Sequence, residues 1–375
     1  MCLKANKTAI IALMKTHLIF IGNKFIYNIP LKEYVLRNIK AEVAFIDIIS
    51  FLKDGDTSLF LYLEKSLNTD DRVVIVTTKQ NFSTIGKVIC TATNDNQILR
   101  DGMLIPQKAP LFEERSYLLE YNKAVINVLQ IDEGERMPEI LLCSNEIKAV
   151  AHIFDEERET IVNILTPIAQ TYEVHFDFLQ EIEGWLRLDI YSKKYGDISK
   201  FIESSKKLLP KKFIASSNIV EYIIDKLSHL GRKITFAESC TGGLLTYYFT
   251  KHNGASKIFN GSLITYSNGL KENWLGVEQS TLEEYGAVSA EVVKEMSLGA
   301  LGVSDADYAI AISGIAGDAG GTEEKPVGTV YISVRSKREH VENRFHFLGD
   351  RNYVQHQSAL MAIKMLLLLD KKTFF

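Results

Sequence analysis

The sequence predicts an α/β protein built of three successive domains, and three observations carry that prediction. Short, continuous apolar runs of strand length recur along the 375 residues, each followed by a segment with helical spacing, which is the pattern of a mainly parallel sheet. That alternation gives way once, around residues 156–209, to a smaller α/β set. A chain of this length also exceeds one ordinary core. The expected boundaries are 1–155, 156–215 and 216–375.

In the first domain, residues 17–22 (HLIFIG) form an apolar run ending in glycine, as buried parallel strands do. Residues 31–39 have helical spacing, 44–48 read as a second strand, 57–67 as a helix and 72–77 (RVVIVT) as a third buried strand. Residues 125–130 and 138–142 add strand-like runs. In the middle domain, 157–172 and 198–208 read as helices, the second stopped by Pro210, with strands at 174–179 and 186–190. Asn218 then has the character of an N-cap, with Glu221 three residues on. Val220, Ile223, Leu227 and Leu230 repeat at helical spacing, and Gly231 closes the helix.

The last domain alternates again. Strands are expected at 233–236, 262–266, 308–312, 328–334 and 344–347. Helices are expected at 244–249, 270–274, 281–285 and 290–301, and at 352–369 with Asp350 as its cap. No repeat or low-complexity tract occurs.

Composition limits the function classes. Apolar residues make up 46% and charged residues 24%, as in soluble globular proteins. A net charge of −4 lacks the basic balance of a general nucleic-acid binder. Cys2, Cys90, Cys143 and Cys240 show no C-x-x-C spacing and read as free thiols of a cytoplasmic protein. No apolar run reaches the roughly 18 residues of a membrane span. The apolar cluster at 9–14, with lysines before it, imitates a signal peptide but is too short, and Met14 is the expected start of translation.

The most informative stretch is 236–244, FAESCTGGL. It sets a serine and two glycines where a strand turns into a helix. A helix N-terminus offers unpaired N–H groups and the positive end of the helix dipole, and glycines let a ligand approach the backbone. Ser239 would then face an anion-ready site. Three more such turns follow at strand ends, at 265–271, 313–317 and 326–329, with Gly349-Asp350-Arg351 as a fifth junction. Open α/β sheets bind ligands at such ends.

Ser239 needs a base to act as a nucleophile. No histidine lies in these turns, and His340, His346 and His356 have no evident link to them, so a Ser-His-Asp triad is not expected. Lys271 and Tyr266 are the candidates. A lysine serves as base when burial draws its pKa from about 10.4 toward about 7–8. The N–H groups of Thr241, Gly242 and Gly243 could form an oxyanion hole, and Arg351 offers a planar fork for phosphate or carboxylate. Each residue also has a plainer reading. Ser239 alone could be an N-cap, Lys271 a surface helix lysine, Tyr266 a packed strand aromatic and Arg351 a surface ion-pair residue. Residues 323–325 read as a solvated loop or a lid. Cys240 could be activated by the helix end, but small-residue packing is the favoured reading.

Taken together these motifs resemble the C-terminal domain of the CinA family, the nicotinamide-nucleotide amidase (NMN deamidase, PncC-like) group. They are AESCTGG at 237–243, TYSN at 265–268 followed by Lys271, LGV at 275–277, GAVS at 286–289, SGIAG at 313–317, GG-x-EEKPVGTV at 320–330 and GDR at 349–351, matching in order and spacing. The resemblance implies a CinA-type α/β/α domain over 216–375. It also implies metal-free, cofactor-free hydrolysis of the carboxamide of nicotinamide mononucleotide (NMN) to nicotinate mononucleotide and ammonia, a step of pyridine-nucleotide salvage. Carried over, Ser239 is the nucleophile, Lys271 its base partner and Tyr266 a proton relay or orienting group. Substrate contacts fall to Thr241, Gly242 and Gly243 of the first turn and to Ser267 and Asn268 of the second. Ser313, Gly314 and Gly317 of the third turn, Gly328 and Thr329 of the fourth, and Arg351 complete the set. Two departures stand out: Asp318-Ala319 replaces the usual Pro-Asp, and Gln355 stands where a second arginine often follows GDR, a change that implies weaker phosphate binding.

The upstream region resembles a degenerate CinA N-terminal domain, of molybdopterin-binding-like fold, which in the family resembles a metal-dependent ADP-ribose pyrophosphatase. Its acidic G-D/T-E-L-L turn is here Gly22-Asn-Lys-Phe-Ile26, and its T-G-G-L-G-P-T turn is Thr77-Thr-Lys-Gln-Asn-Phe-Ser83. Without those glycines and carboxylates no pyrophosphatase activity is expected of residues 14–155, which would serve as a structural or dimerising part. The expected partners are the NMN substrate and a second copy of the chain, with no membrane and no direct nucleic-acid contact. Two alternatives stay open: a non-catalytic nucleotide-binding partner in competence or DNA-damage response, and residual ADP-ribose pyrophosphatase activity.

Overall fold

The structure is a computed structural model that describes residues 15–43, 46–122, 124–142, 147–192, 195–317 and 319–375. The chain divides into two compact units, Met1–Asn145 and Glu146–Phe375. The proposed start at Met14 lies outside the described residues.

The first unit runs β1 (Thr16–Ile21), α1 (Asn23–Tyr27), α2 (Ile29–Glu42), β2 (Ile48–Leu52), α3 (Leu59–Thr69), β3 (Arg72–Thr77) and α4 (Lys79–Ala92). Five strands follow: β4 (Gln97–Arg100), β5 (Met103–Pro106), β6 (Leu111–Glu113), β7 (Ser116–Tyr121) and β8 (Ala124–Gln130). Six of these strands form one sheet in the order β2-β1-β3-β8-β7-β6, while β4 and β5 make a separate hairpin. β2, β1, β3 and β8 are parallel, and β7 and β6 are antiparallel. β1 and β3 are buried on both faces, which is why they read as unbroken apolar runs.

Two strand expectations are corrected here. Residues 44 and 45 lie outside the described residues, and the second strand is Ile48–Leu52, where register with His17–Ile21 places it. As an edge strand with Ile48, Ile49 and Phe51 exposed, it lacks the burial that marks its neighbours. Residues 138–142 form no strand. Side chains pin this stretch instead: the Leu141 N–H donates to Asn127 Oδ1 at 2.8 Å and the Met137 N–H to the Tyr34 hydroxyl at 2.9 Å.

The second unit opens with β9 (Ile147–Phe154), α5 (Arg158–Thr171), β10 (Val174–Ile182), β11 (Trp185–Ser192), α6 (Ile198–Leu208) and β12 (Phe213–Ala215). Its antiparallel sheet has the order β10-β11-β9-β12. β9 is therefore an inner strand of the connecting sheet, so the first domain ends near residue 145 and not at 155.

Then follow α7 (Ile219–His229), β13 (Ile234–Glu238), α8 (Leu244–Thr250), β14 (Phe259–Ile264), α9 (Asn268–Leu275), α10 (Gln279–Tyr285), α11 (Ala290–Ser304), β15 (Tyr308–Gly314), β16 (Thr329–Ser336), β17 (His340–His346), α12 (Arg351–Leu369) and α13 (Lys371–Phe374). As expected, Asn218 caps α7, accepting from Val220 N at 2.9 Å and Glu221 N at 3.2 Å. The strand expected at 262–266 ends at Ile264, leaving Thr265 and Tyr266 in the turn, and the one expected at 344–347 is His340–His346.

The five strands take the order β14-β13-β15-β16-β17, parallel across the first three and antiparallel in the last two. Alternation along β13 and β15 sends Ala237, Ala309 and Ala311 into one core with α9, α10 and α11. Phe236, Ile310 and Ile312 enter the other core, with α7, α8 and α12. The result is an α/β/α sandwich. Phe154 and Trp185 of the connecting sheet belong to the second of those cores, and the Phe154 and Phe375 rings meet edge-on at 5.7 Å. The connecting and C-terminal domains thus share one hydrophobic core. Among the described residues no helix is long and apolar enough to cross a membrane.

The strand order makes the C-terminal ends of β13 and β15 a topological switch point, because the chain leaves them toward opposite sides of the sheet. Ser239 follows β13 directly, and Ser313 is the penultimate residue of β15. α9 is held beside them by α11, and at Gly299 a Cβ would overlap the carbonyl group of Leu275, the last residue of α9. Gly299→Ala is expected to destabilise the unit by about 1–3 kcal/mol as an overpacking change. A lower urea midpoint at unchanged m-value checks this.

Candidate active site

β13 delivers Ser239 to the switch point. Its N–H donates to the Ile312 carbonyl at 3.0 Å, which ties the serine turn to β15. The chain turns through Gly242 (φ 58°) and Gly243 (φ 100°), left-handed positions that glycine occupies without strain. Gly243 is the N-cap of α8, so Ser239 is not a capping residue.

The end of α8 is not open to a ligand, contrary to expectation. The carboxylate of Glu238, fully buried at the end of β13, accepts from Gly243 N at 3.0 Å, Leu245 N at 3.1 Å and Thr246 N at 2.8 Å. The Thr246 hydroxyl donates to it at 2.6 Å. A carboxylate in a core needs such compensation, and the positive helix end supplies it. Of the three N–H groups expected to form an oxyanion hole, that of Gly243 is bound to Glu238 and that of Gly242 to the Ser239 carbonyl at 3.1 Å. The Cys240 N–H faces its own sulfur, and among the described residues the Thr241 N–H has no acceptor.

Lys271 comes from the opposite wall. Ser267 caps α9 by accepting from Leu270 N at 3.4 Å, and Lys271 lies in the first turn. It is 1% exposed. Its Nζ lies 2.9 Å from the Thr265 carbonyl, 3.3 Å from the Tyr266 carbonyl and 3.3 Å from Ser239 Oγ. All three partners are uncharged. Burial holds the ammonium below the ordinary lysine value of 10.5, with the nearby Cys240 sulfur opposing the shift. The surface-lysine reading is thereby excluded. The Thr265 turn is itself fixed, because its N–H donates to the Glu238 carbonyl at 2.9 Å.

Tyr266 is placed differently from expectation. It is 59% exposed, and its hydroxyl accepts from Arg351 Nη2 at 2.9 Å, not from Lys271 or Ser239. Arg351 begins α12, which Asp350 caps by accepting from Tyr353 N at 2.8 Å. Four residues on, Gln355 Nε2 donates to the Cys240 carbonyl at 2.7 Å. The first two turns of α12 therefore touch both the tyrosine turn and the serine turn.

The other expected contacts divide. A Cβ at Gly317 would lie 3.0 Å from Arg351 Nη1, so that turn borders the guanidinium. Ser313, in contrast, donates to the Ala287 carbonyl at 2.7 Å, and a Cβ at Gly314 would press on Val330 at 2.8 Å and on Cys240 Sγ at 3.1 Å. Gly328 sits against the Phe347 carbonyl and donates to the Ile315 carbonyl at 2.7 Å. Ser313, Gly314 and Gly328 thus hold the fold together. The hydroxyls of Thr241 and Thr329 are buried without a partner among the described residues, and Asn268 is exposed. Asp318 lies outside the described residues, as do Cys2 and Cys143. Cys240 is buried, and burial pushes its thiol up to about 12, which leaves it unreactive. Glu238 was overlooked in the sequence, and Gln355 was read there only as a missing phosphate-binding arginine. A signal existed for Glu238: a carboxylate closing a buried strand has to be met by donors.

The equivalent turns of the first unit are also filled from within. Asp132 accepts from Lys79 N, at the start of α4, at 2.8 Å and from Lys24 Nζ at 2.9 Å. Burial raises the Asp132 carboxyl, but these two donors outweigh it and leave the group below the usual carboxylate range. Asp54 accepts from Asn23 N at 3.0 Å and from Asn81 Nδ2 at 2.6 Å. Carboxylates are present at this sheet end after all, but they are bound to the chain's own donors.

Residues 216–369 match the family described as the CinA C-terminal domain. The chain belongs to the CinA family. A CinA-like protein of Thermotoga maritima is 39% identical over 195 residues, covering 51% of this chain and 46% of its own length. A putative competence-damage inducible protein of Caldicellulosiruptor saccharolyticus is 34% identical over 287 residues, 73% of this chain and 64% of its own length. That alignment is too long to fit within the matched domain, so the likeness continues upstream. This chain thus spans about half the length of the Thermotoga relative. Among solved structures, the competence/damage inducible protein CihA of Agrobacterium tumefaciens is 34% identical, with 40% of this chain and 93% of that one covered at a TM-score of 0.40.

The Glu238 contacts predict a stability effect separate from chemistry. Glu238→Gln keeps the shape but turns an NH2 group toward backbone donors. It is expected to cost about 1–3 kcal/mol, the penalty of a buried donor left without its acceptor. Thermal denaturation checks this.

Proposed function

We propose that the C-terminal domain of this CinA-family chain hydrolyses the carboxamide of nicotinamide mononucleotide, giving nicotinate mononucleotide and ammonia. The observation that carries the reading is the Lys271 amine, buried among neutral groups 3.3 Å from Ser239 Oγ. A lysine in such surroundings loses its proton more readily than one in water, and the neutral amine can accept the serine proton.

In this reading Ser239 Oγ attacks the carboxamide carbon while Lys271 Nζ takes its proton. The tetrahedral oxyanion is met by the free Thr241 N–H, with the Cys240 N–H beside it in sequence. The Lys271 ammonium then returns the proton to the leaving nitrogen, the C–N bond breaks and ammonia departs. Water attacks the acyl-enzyme with Lys271 again as base, and Ser239 is released. Arg351 supplies the fork for the phosphate, and Tyr266 orients it instead of relaying a proton. The amide substrate itself comes from the family resemblance.

Ser239→Ala is expected to lower ammonia release from nicotinamide mononucleotide by about a thousandfold or more. Turnover near the wild-type rate would remove Ser239 from the mechanism. The pH profile follows from the direction of the Lys271 shift. The neutral amine is the active form, so kcat/KM falls as pH drops through the Lys271 pKa, with a midpoint below 10.5. Lys271→Arg, which stays protonated, abolishes this limb together with the activity. A profile unchanged in Lys271→Arg would contradict the base assignment. With ADP-ribose and divalent metal, no AMP is expected, because Asp54 and Asp132 are bound to the chain's own donors. Chelator-sensitive AMP release would contradict that part of the account.

A further inference from the structure

We infer that Gln355 is a positioning residue that fixes the direction of the oxyanion-binding peptide. The inference rests on the serine-nucleophile reading above. Gln355 Nε2 donates to the Cys240 carbonyl at 2.7 Å from the second turn of α12. That carbonyl and the Thr241 N–H belong to one peptide plane. In a trans peptide the two groups point in opposite directions, so a donor holding the oxygen on one side aims the hydrogen toward the other. The Thr241 N–H has no acceptor among the described residues, and it follows the nucleophile by two positions. The identity of the donating atom is settled by the partner, since a carbonyl oxygen accepts only from the NH2 end of the amide.

The rest of the turn is anchored at other points. Ser239 N is tied to Ile312, Gly242 N to Ser239 and Gly243 N to Glu238. The peptide between Cys240 and Thr241 lacks such a backbone tie, and Gln355 supplies it. Gln355 thus has a role apart from the phosphate contact implied for an arginine at this place. Arg351, one turn earlier on the same helix, holds the Tyr266 hydroxyl. The start of α12 in this way braces the serine turn and the tyrosine turn together.

A fluorophosphonate probe tests this on the full chain without relying on the natural substrate. Ser239 Oγ forms a bond to phosphorus, fluoride leaves, Lys271 takes the serine proton, and the phosphoryl oxygen occupies the oxyanion position. The labelling rate at Ser239, read by intact mass, is compared for wild type, Gln355→Glu, Gln355→Met and Gln355→Arg, together with the melting temperature and with KM for nicotinamide mononucleotide. The isosteric Glu and the apolar Met remove the donor, and Arg restores one. The expected result is about a tenfold or greater slowing in Gln355→Glu and Gln355→Met, below the full loss seen when an oxyanion donor is deleted outright. Recovery in Gln355→Arg is expected, with KM near wild type in Gln355→Glu and Gln355→Met and the melting temperature near wild type throughout. Labelling at the wild-type rate in both donor-less variants overturns the inference, and so does a slowing that only tracks a lower melting temperature. If wild type is labelled but releases no ammonia from nicotinamide mononucleotide, the amidase reading fails while the labelling rates still decide the role of Gln355. If wild-type Ser239 is not labelled, both fall.

Discussion

A lysine amine enclosed by uncharged acceptors is the constraint on which the site depends. Lys271 is buried against the Thr265 and Tyr266 carbonyls and the Ser239 hydroxyl. Taking an ammonium out of water without an anionic partner is unfavourable, so such a site favours the neutral base. Several other features serve that placement. Ser267 starts the helix that carries Lys271, Gly299 lets α11 close against the end of that helix, and Thr265 is tied by its N–H to the Glu238 carbonyl.

A second constraint recurs in both units: helix N-termini at the C-terminal end of the sheet are met by the chain's own carboxylates. Glu238 does this for α8 and Asp132 for α4. The consequences differ. At α4 the carboxylate sits where a phosphate would be expected, held by the Lys79 N–H and the Lys24 ammonium. At α8 the carboxylate settles the helix end, and the preceding turn keeps Ser239 and the Thr241 N–H, which has no acceptor among the described residues, for the proposed reaction. The positive helix end thus acts on structure, while in the proposed reaction the donor for a developing oxyanion comes from one oriented peptide.

Much of the fold was legible because burial leaves a plain mark. β1, β3, β13 and β15 are enclosed by their neighbours and show as unbroken apolar runs, and Asn218 and Asp350 cap as their positions suggest. β2 was displaced in the reading because an edge strand lacks two-sided burial. β9 was assigned to the wrong domain because its pairing with β11 and β12 is a long-range fact that periodicity does not contain. In the site, Ser239 and Lys271 were found through their turns, and the structure brings them together. Tyr266 was expected beside the reacting groups and Ser313 and Gly328 against the substrate, but in the structure they meet Arg351, Ala287 and Ile315. Sequence proximity could not reveal that Gln355, 115 positions from Cys240, reaches its carbonyl.

In the proposed reaction Ser239 forms a covalent intermediate with the carboxamide substrate. This step is tested most directly by mixing the protein with nicotinamide mononucleotide, quenching in acid within the first turnovers, and measuring intact and peptide mass. An acyl adduct of the nicotinate mononucleotide is expected on the peptide containing Ser239, absent in Ser239→Ala. Ammonia release with no adduct, or with an adduct on another residue, would contradict it.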